Sequence, residues 1–388
     1  MKLSDRALAI TPSATVQLTA EVARQKALGI DVLAFSMGEP DFDTPSNIRE
    51  ALKTAVDKGL TRYTTSSGIL ELKKAVSEKL ERDNGLHYES SRIAITCGAK
   101  AALYQTMQTL VQEGDEVIII APCWVSYCEM VKLAGATPVL VRAKASCGYV
   151  PDVSDIQDAV TPRTKAIMVN SPNNPTGAVY PKETLEEIGR LSERTGIAVV
   201  TDEVYEKLVY GDARHWSIPA LVPGCKDNCI VINGFSKTYA MTGLRIGYAA
   251  GPLDFIKAFN ALQTHLTGNV ATPVQHAAVE ALSGDQECVS VMKDEFQKRR
   301  DYVVSRLEAI DGISCPKPDG AFYVMPDISA LTSDDAAFCS QLLEKKHVAI
   351  VPGSAFAEPG TVRIAYSASM EQIREAMDRI EDFVRSVK

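Results

Sequence analysis

Short apolar runs alternate with stretches of helical periodicity over the first two thirds of the chain. The runs have the length and composition of buried strands, and they span residues 93–96, 116–120, 165–169, 197–201 and 229–232. Helical patterns such as 99–110 separate them. Continuous apolar strands separated by helices predict an α/β domain with a mostly parallel sheet, covered by helices on both faces.

The last hundred residues carry a different pattern. Strand-like runs at 321–325, 348–351 and 361–366 have helices between them, and a final helix spans 370–387. This pattern predicts a smaller α+β domain, which the amino-terminal arm up to segment 38–41 is expected to join. We therefore predict a large domain over 46–285 and a small domain formed by 1–45 and 286–388.

Composition and charge exclude several classes of protein. The 388 residues are 46% hydrophobic and 23% charged, and 41 basic against 49 acidic residues give a net charge of −8. Without a basic stripe, nucleic-acid binding is not expected. The first residues lack the apolar stretch of a signal peptide, and no segment approaches the ~20 apolar residues of a membrane span.

The nine cysteines are odd in number and scattered along the chain. Neither of the two close pairs, Cys123 with Cys128 and Cys225 with Cys229, has a nearby histidine pair to complete a zinc site. The cysteines therefore predict free thiols in a reducing cytoplasm and no metal centre.

A lysine follows the last strand of the predicted large domain. Ligands of parallel sheets bind beyond the carboxyl ends of the strands, and Lys237 comes shortly after the run 229–232. A lysine at the end of a buried strand can be desolvated, which makes its amine neutral and nucleophilic. Schiff-base chemistry with pyridoxal phosphate needs such an amine. The alternative interpretation is an ordinary surface lysine in a loop.

The preceding strand ends in a carboxylate. Asp202 follows Thr201, and Tyr205 comes three positions later. A buried carboxylate needs a cationic partner, and a protonated pyridine nitrogen would supply one. The charge of Asp202 would keep that nitrogen protonated, which makes the ring an electron sink, while Tyr205 could bond the ring oxygen. The alternative is that Asp202 caps a helix.

Other strand ends also carry residues suited to a planar phosphorylated ligand. Gly98 and Ala99 open a helix whose free N–H groups can hold a phosphate, which Arg245 can bind in bidentate fashion. Trp124 could stack on a ring, and Asn174 lies in a loop that two prolines and a glycine constrain. A plain helix start, a surface ion pair, core packing and a structural turn are the respective alternatives.

As a set, these residues resemble those of class I aminotransferases with the aspartate aminotransferase fold, which use pyridoxal phosphate. The match runs from about residue 12 to the carboxyl terminus. The motifs that carry it are Asn174-Pro175-Thr176-Gly177, Asp202-Glu203-Val204-Tyr205, Ser236-Lys237 with Arg245, and Val362-Arg363-Ile364. The resemblance implies the PLP-dependent transferase fold of fold type I.

The resemblance also implies how the cofactor is held. Lys237 is similar to the lysine that forms the internal aldimine and carries the proton, and Asp202 is similar to the partner of the pyridine nitrogen. The other implied cofactor contacts are Tyr205 and Asn174 at the ring oxygen, Trp124 on the ring face, and Gly98, Ala99 and Arg245 at the phosphate. Catalysis would fall to Lys237, Asp202 and Tyr205.

The implied substrate contacts extend to the amino-terminal segment. Arg363 would clamp the substrate α-carboxylate by a two-pronged ion pair, and Gly38 would let the backbone close over the substrate. Trp124 and Asn174 would also contact the substrate. Tyr63 would reach the phosphate in the neighbouring subunit, which implies a homodimer with shared active sites.

One departure from the family pattern concerns the phosphate. Many aspartate aminotransferases carry a serine three residues before the lysine, as a phosphate ligand. Here Gly234 occupies that position, and Ser236 adjoins Lys237 instead. The phosphate site must therefore be completed differently.

Segments 12–16, 38–45 and 122–127 resemble the bacterial and plastid branch of aspartate aminotransferases, called subgroup 1-beta. In that branch Lys100, with hydroxyls near Ser13 and Thr15, is implied to bind the distal carboxylate. A dicarboxylate does need a second cationic or donor site besides Arg363. The alternative is that Lys100 is an exposed lysine in the first turn of a helix, where it opposes the helix dipole.

We therefore expect an aspartate:2-oxoglutarate aminotransferase that binds small dicarboxylic amino acids and 2-oxo acids in a ping-pong mechanism. Thr15 with Lys100 also resembles branch members that transaminate prephenate. The alternative is therefore a glutamate/aspartate–prephenate aminotransferase, either with this activity alone or as a bifunctional enzyme. A lyase on the same fold is less favoured, because Arg363 and Lys100 suit transamination. A sensor domain of a transcription regulator is disfavoured by the negative charge.

Overall fold

The computed structural model of the protein describes residues 1–387. Within them the strands are β1 (Leu33–Ala34), β2 (Ile93–Thr96), β3 (Glu116–Ala121), β4 (Thr137–Arg142), β5 (Thr164–Asn170), β6 (Ala198–Asp202), β7 (Cys229–Gly234), β8 (Gly247–Ala250), β9 (Tyr323–Val324), β10 (Val348–Ala349), β11 (Val351–Pro352) and β12 (Val362–Ala365). The predicted strand runs of the first two thirds of the chain all coincide with strands of the structure.

Helices lie between most of these strands, as the alternating pattern predicts. They are α1 (Asp5–Leu8), α2 (Ala14–Ala27), α3 (Ser46–Asp57), α4 (Leu70–Asn84), α5 (Ala99–Leu110), α6 (Ser126–Leu133), α7 (Val153–Asp158), α8 (Lys182–Thr195), α9 (Ile218–Leu221), α10 (Leu253–Leu266), α11 (Thr272–Ser283), α12 (Glu287–Glu308), α13 (Asp335–Lys346) and α14 (Met370–Val387). No helix among residues 1–387 is both long enough and apolar enough to cross a membrane.

The main sheet has seven strands in the order β2-β8-β7-β6-β5-β3-β4. Its neighbouring strands pair in parallel except at β8, which is antiparallel to both β2 and β7. Because successive side chains point to opposite faces, Ile118 packs with α7 and α8, whereas Ile119 packs with α5, α6 and α10. The predicted α/β class, with a mostly parallel sheet between helices, is confirmed.

Strand β4 was not predicted from the pattern, and its position explains why. It pairs only with β3 and forms one edge of the sheet, and most of its residues are partly or fully exposed. Pro138 interrupts the β-branched run, which is tolerated on an edge strand because no ladder hydrogen bond is needed on the outer side. An edge strand of this kind lacks a continuous apolar signature.

The carboxyl-terminal strands are shorter than the pattern predicts. The run 348–351 forms two strands around Ile350, and they serve different sheets: β10 pairs with β1, and β11 pairs with β12. A three-stranded antiparallel sheet has the order β11-β12-β9. It packs with α12, α13 and α14 in a separate core. The boundaries drawn at residues 45 and 285 stay a prediction.

Candidate active site

A cavity of about 390 Å³ lies at the carboxyl ends of the central strands of the main sheet. Most of the residues singled out in the sequence line it: Thr15, Gly38, Ala99, Lys100, Trp124, Asn174, Asp202, Tyr205, Lys237, Arg245 and Arg363. Three others, Gly98, Ser13 and Tyr63, do not line it, although the first two contact residues that do. The fold therefore gathers residues from eight separate segments of the chain.

Lys237 lies three residues beyond the end of β7, with its side chain in the cavity. Its Nζ donates to the carbonyl oxygen of Gly38 at 2.6 Å. Burial lowers the pKa of Lys237 to about 8, although the carboxylates of Glu39 and Asp202 oppose this shift. The amine is therefore partly neutral near physiological pH, as a nucleophile or a general base requires.

Asp202 is the last residue of β6, and its side chain is buried. It accepts hydrogen bonds from the hydroxyl of Tyr127 at 2.6 Å and from the N–H of Val204 at 3.3 Å. Burial raises its pKa to about 6. No helix begins beyond Asp202 before Ile218, so the helix-cap interpretation is wrong. Among residues 1–387, Asp202 forms no ion pair, so this buried carboxylate has room for a cationic partner.

Tyr205 lies on the loop beyond Asp202 and points its hydroxyl at that of Tyr323, 2.8 Å away. The two rings meet edge to face, with centroids 5.7 Å apart. Sequence reasoning missed Tyr323, since it comes from β9, more than a hundred residues away along the chain. Its only signal was its place in a predicted strand of the carboxyl-terminal region.

An anion site lies at the start of α5. Gly98 has a φ of 85°, and a Cβ at this position would lie 2.6 Å from the guanidinium of Arg245. The glycine thus leaves room for Arg245 to approach the first N–H groups of α5. A guanidinium beside a helix amino terminus is a favourable place for a phosphate. Arg245 forms no ion pair within residues 1–387, so the salt-bridge interpretation is not realised.

The side of the cavity facing β12 holds a buried guanidinium. Arg363 donates to Asn174 Oδ1 at 3.0 Å and to the carbonyl of Ser36 at 2.6 Å. Its guanidinium lies between the rings of Tyr323 and Phe356, 4.7 and 4.6 Å from their centroids. In residues 1–387 it has no carboxylate partner, and its Nε has no hydrogen-bond partner. A buried cation in this state is ready for an external carboxylate.

A second cation stands at the mouth of the cavity. Lys100 is in the first turn of α5, and its Nζ lies 4.7 Å from the ring centroid of Trp124. Partial burial and the charge of Arg245 lower its pKa. Thr15 lies across the cavity on α2, and its hydroxyl is 2.9 Å from that of Ser13. Ser13 therefore contacts a residue of the cavity wall without lining the cavity itself.

Tyr63 is 97% exposed and lies away from the cavity of its own chain. Nothing in the fold of one chain explains an almost fully exposed aromatic side chain at this position. The loop is nevertheless held in place, because the carbonyl of Arg62 accepts a hydrogen bond from Thr272 at 2.6 Å.

Asn170 is a further residue that sequence reasoning missed. Its Nδ2 donates to the carbonyl of Asp202 at 2.9 Å, and its Oδ1 accepts from the N–H of Asn174 at 2.8 Å. It therefore ties the ends of β5 and β6 together and sets the distance between Asn174 and Asp202. Its place directly after the apolar run 165–169 was the available signal.

A polar cluster holds the loop 202–206 from behind. Glu206 forms a buried ion pair with Lys79, and Glu203 accepts from Ser217 at 2.7 Å and contacts His215 at 3.2 Å. One carboxylate oxygen each of Glu203 and Glu206 and one ring nitrogen of His215 lie within 4.8 Å of one another. Since Lys79 already neutralises Glu206, the cluster anchors the loop that carries Asp202 and Tyr205.

The cavity fits a pyridoxal phosphate group on three independent observations. The buried carboxylate of Asp202 has no ion pair in the described part of the chain, and a protonated ring nitrogen would provide one. The cradle at Gly98 and Arg245 suits a phosphate. Lys237 presents an amine with a lowered pKa. The same cavity holds all three, so one ligand with a basic ring, a carbonyl and a phosphate can satisfy them together.

Comparison with known proteins agrees with this geometry. The family model described as aminotransferase class I and II matches residues 30–380. An aspartate aminotransferase of Bacillus sp. (strain YM-2) is 45% identical over 388 residues, covering 99% of both chains. An aspartate/prephenate aminotransferase of Cereibacter sphaeroides is 44% identical, covering 98% of each.

Solved structures give the same picture. An aspartate aminotransferase from Rhizobium meliloti superposes with a TM-score of 0.96 at 38% identity, covering 99% of each chain. An aspartate aminotransferase from Thermus thermophilus with maleate superposes with a TM-score of 0.95 at 41% identity, covering 98% of this chain and 99% of that one. The fold is thus shared over the full length.

We expect Asp202→Asn to stabilise the ligand-free protein. The rise of the Asp202 pKa from its usual 3.8 to about 6 corresponds to about 3 kcal/mol of destabilisation at neutral pH. Between pH 4 and 6 the unfolded chain ionises first, so this destabilisation grows as the pH rises through that window and is constant above it. Calorimetric unfolding at pH 8 should give a higher midpoint for the variant, with a smaller difference at pH 5. A lower midpoint at pH 8 would contradict the assignment.

Gly38→Ala should lower the stability of the protein through a clash that a second substitution relieves. A Cβ at position 38 would overlap the hydroxyl of Tyr323, while the nearest ring carbon would lie 3.3 Å away. Overpacking of this kind is destabilising by about 1–3 kcal/mol. In the double variant with Tyr323→Phe, the loss in thermal midpoint should be less than the sum of the single losses. Strict additivity would show that the hydroxyl is not the obstacle.

Proposed function

We propose that this chain, which belongs to the class I and II aminotransferases, transfers amino groups reversibly between aspartate and 2-oxoglutarate. The observation that carries the proposal is the pair of cations that share one cavity with Lys237. Arg363 is buried without a carboxylate partner in residues 1–387, and Lys100 lines the same cavity. Two cations and one amine in a single cavity match a substrate with an amino group and two carboxylates.

Class I aminotransferases of the aspartate aminotransferase type use pyridoxal phosphate, so the chain is a PLP-dependent enzyme. When bound, the cofactor ring accepts the electron pair of the substrate Cα–H bond. In the proposal, Asp202 holds a proton on the ring nitrogen, and Tyr205 and Asn174 donate to the ring oxygen. Arg245 and the Ala99 N–H hold the phosphate, Gly98 leaves the space for it beside Arg245, and Trp124 covers the ring.

Lys237 is the proposed proton carrier. Its Nζ takes the proton from the substrate Cα and returns one to the adjoining carbon on the cofactor side. A pKa of about 8 supports this role, since an amine near its pKa both accepts and releases a proton readily. The contact of Nζ with the Gly38 carbonyl, at 2.6 Å, shows how near the amino-terminal segment lies to the reacting centre.

The α-carboxylate is assigned to Arg363. Its contacts with Asn174 and the Ser36 carbonyl, and its place between two aromatic rings, hold the guanidinium in one orientation. A planar fork fixed in this way binds a carboxylate in bidentate fashion and aligns the Cα–H bond above Lys237. Gly38 leaves space for the amino-terminal segment to cover the bound substrate.

The distal carboxylate is assigned to Lys100 and Thr15, with Ser13 supporting Thr15 through the hydroxyl contact of 2.9 Å. The same pair suits prephenate, a bulkier dicarboxylate, and relatives from Cereibacter sphaeroides and Thermus thermophilus are named aspartate/prephenate aminotransferases. The exposed side chains of Val16 and Met37 at the mouth of the cavity leave room for a larger group. Prephenate is therefore the second candidate substrate.

We further propose a homodimer with shared active sites, in which Tyr63 reaches the phosphate of the neighbouring subunit. The support is the 97% exposure of Tyr63 on a loop that is otherwise anchored. A cytoplasmic location is supported by the nine cysteines, all of which are free.

A substrate panel tests the proposal. We expect activity with aspartate and glutamate as donors against oxaloacetate and 2-oxoglutarate, and weak activity with alanine. Activity with prephenate as the acceptor would support the alternative, an aminotransferase that acts on prephenate. Lys237→Ala should abolish turnover, yet sedimentation velocity should still show a dimer that retains pyridoxal phosphate. Absence of aspartate activity in the wild type, or turnover by the variant, would overturn the assignment.

Lys100→Met tests the distal carboxylate site. The substitution keeps the length of the side chain and removes the charge, so kcat/KM for aspartate should fall by roughly 10–100-fold, which is the size of a lost charged hydrogen bond. Activity with alanine should change less than threefold. Lys132→Met on α6, where Lys132 pairs with Glu129 at 2.9 Å, is the matched control and should leave both values unchanged. Equal losses for aspartate and alanine would remove Lys100 from the specificity site.

A further inference from the structure

Tyr127 has no role in the mechanism outlined above, although it contacts a residue central to it. It lies on α6, is 2% exposed, and donates its hydroxyl proton to Asp202 Oδ2 at 2.6 Å. The bond is short, as expected for a hydroxyl donating to a charged oxygen. Burial raises the pKa of Tyr127 far above its usual range, so the phenol remains a donor at every working pH.

We propose that Tyr127 is a positioning residue that keeps the proton shared between Asp202 and the bound cofactor on the ring nitrogen. The inference rests on the cofactor of the family and not on the proposed substrate. It concerns the enzyme before any amino acid binds, so it holds whichever donor the enzyme prefers.

The reason lies in what surrounds the carboxylate. Four groups face Asp202: the Tyr127 hydroxyl from α6, the Val204 N–H from its own loop, the Lys237 ammonium from the loop beyond β7, and the neighbouring carboxylate of Glu203. Burial and Glu203 favour the protonated acid, whereas the other three favour the carboxylate. Lys237 does not supply this charge when its amine is neutral or joined to the cofactor, so the two hydrogen-bond donors remain.

Tyr127 is the stronger of these two donors. Its bond to Oδ2 is 2.6 Å long, against 3.3 Å for the Val204 N–H, and it is the one direct side-chain hydrogen bond that Asp202 receives among residues 1–387. Without it, Oδ2 would have no donor from the protein. The carboxylate would then compete better for the shared proton, and the ring would lose charge.

Tyr127 is also fixed in place by its ring. The ring meets Trp124 edge to face, with centroids 5.4 Å apart and an interplanar angle of 87°. Trp124 in turn carries the Lys100 ammonium on its face. The phenol is thus packed on the side chain proposed to cover the cofactor, and Tyr127→Phe would retain this packing while deleting the hydrogen bond alone.

The experiment is ¹⁵N NMR of the holoenzyme loaded with pyridoxal phosphate labelled at the ring nitrogen, from pH 6 to 9 without substrate. The wild type should keep the resonance near the protonated position. Tyr127→Phe should move it towards the neutral-pyridine position, increasingly as the pH rises. Asp202→Asn supplies the neutral reference within the same site. A cofactor Kd roughly tenfold weaker is expected for Tyr127→Phe, and saturating cofactor compensates for it.

The matched control is Tyr248→Phe. Tyr248 is also a buried tyrosine, on β8, and its hydroxyl has no hydrogen-bond partner among residues 1–387. Its removal should leave the resonance unmoved. A Tyr127→Phe enzyme with the wild-type resonance at every pH would refute the proposal, even if activity fell, because a purely structural defect does not change the protonation of the ring.

A second replacement covers the case in which the phenylalanine variant does not fold or hold the cofactor. 3-Fluorotyrosine at position 127 keeps the shape and donates more strongly, so the resonance should stay at the protonated position to a higher pH than in the wild type. A shift towards the neutral position with this stronger donor would also overturn the inference. Neither readout depends on which amino acid is the substrate, so failure here is separate from failure of the aspartate assignment.

Discussion

The buried carboxylate of Asp202 is the constraint on which the rest of the site depends. A carboxylate at the end of a central strand, with no ion pair among residues 1–387, is unfavourable until a positively charged ligand arrives. The surrounding polar structure keeps it there. Asn170 bonds its carbonyl, Tyr127 bonds its side chain, and the buried pair of Lys79 and Glu206 anchors the loop that follows. Stability is given up at this position in exchange for a ready cofactor partner.

The same principle explains the substrate side. Arg363 is buried with its charge unpaired within residues 1–387, and the aromatic rings of Tyr323 and Phe356 hold it by cation–π contact. Such contacts stabilise a guanidinium without occupying its carboxylate-binding edge. The hydroxyl of Tyr323 also contacts that of Tyr205. Tyr323 therefore connects Arg363 to the loop beyond Asp202. The cavity therefore combines one unpaired buried anion with one unpaired buried cation, each suited to a different part of the bound molecules.

Much of this arrangement could be predicted from the sequence, because it follows from chain order. Parallel strands place their carboxyl ends at one edge, so the residues after each apolar run, such as Asp202 and Lys237, had to lie near one another. The fold class, five of the seven strands of the main sheet, and the final helix followed from periodicity, whereas β4 and β8 did not. The shorter strands of the carboxyl-terminal region did not, since a two-residue strand such as β9 depends on its partner and not on its own pattern.

The two tyrosines that sequence reasoning missed were missed for one physical reason. Tyr127 and Tyr323 are buried aromatics, and a buried aromatic side chain ordinarily belongs to a hydrophobic core. Only the position of the hydroxyl distinguishes them, and that position is fixed by contacts with Asp202 and Tyr205 from distant segments. Residues that touch a ligand can be found from strand ends, whereas the donors that set their charge are determined by packing. The effect of buried tyrosines on the charge of the site therefore depends on the folded chain. Such tyrosines are recognised by the polar groups that their hydroxyls contact.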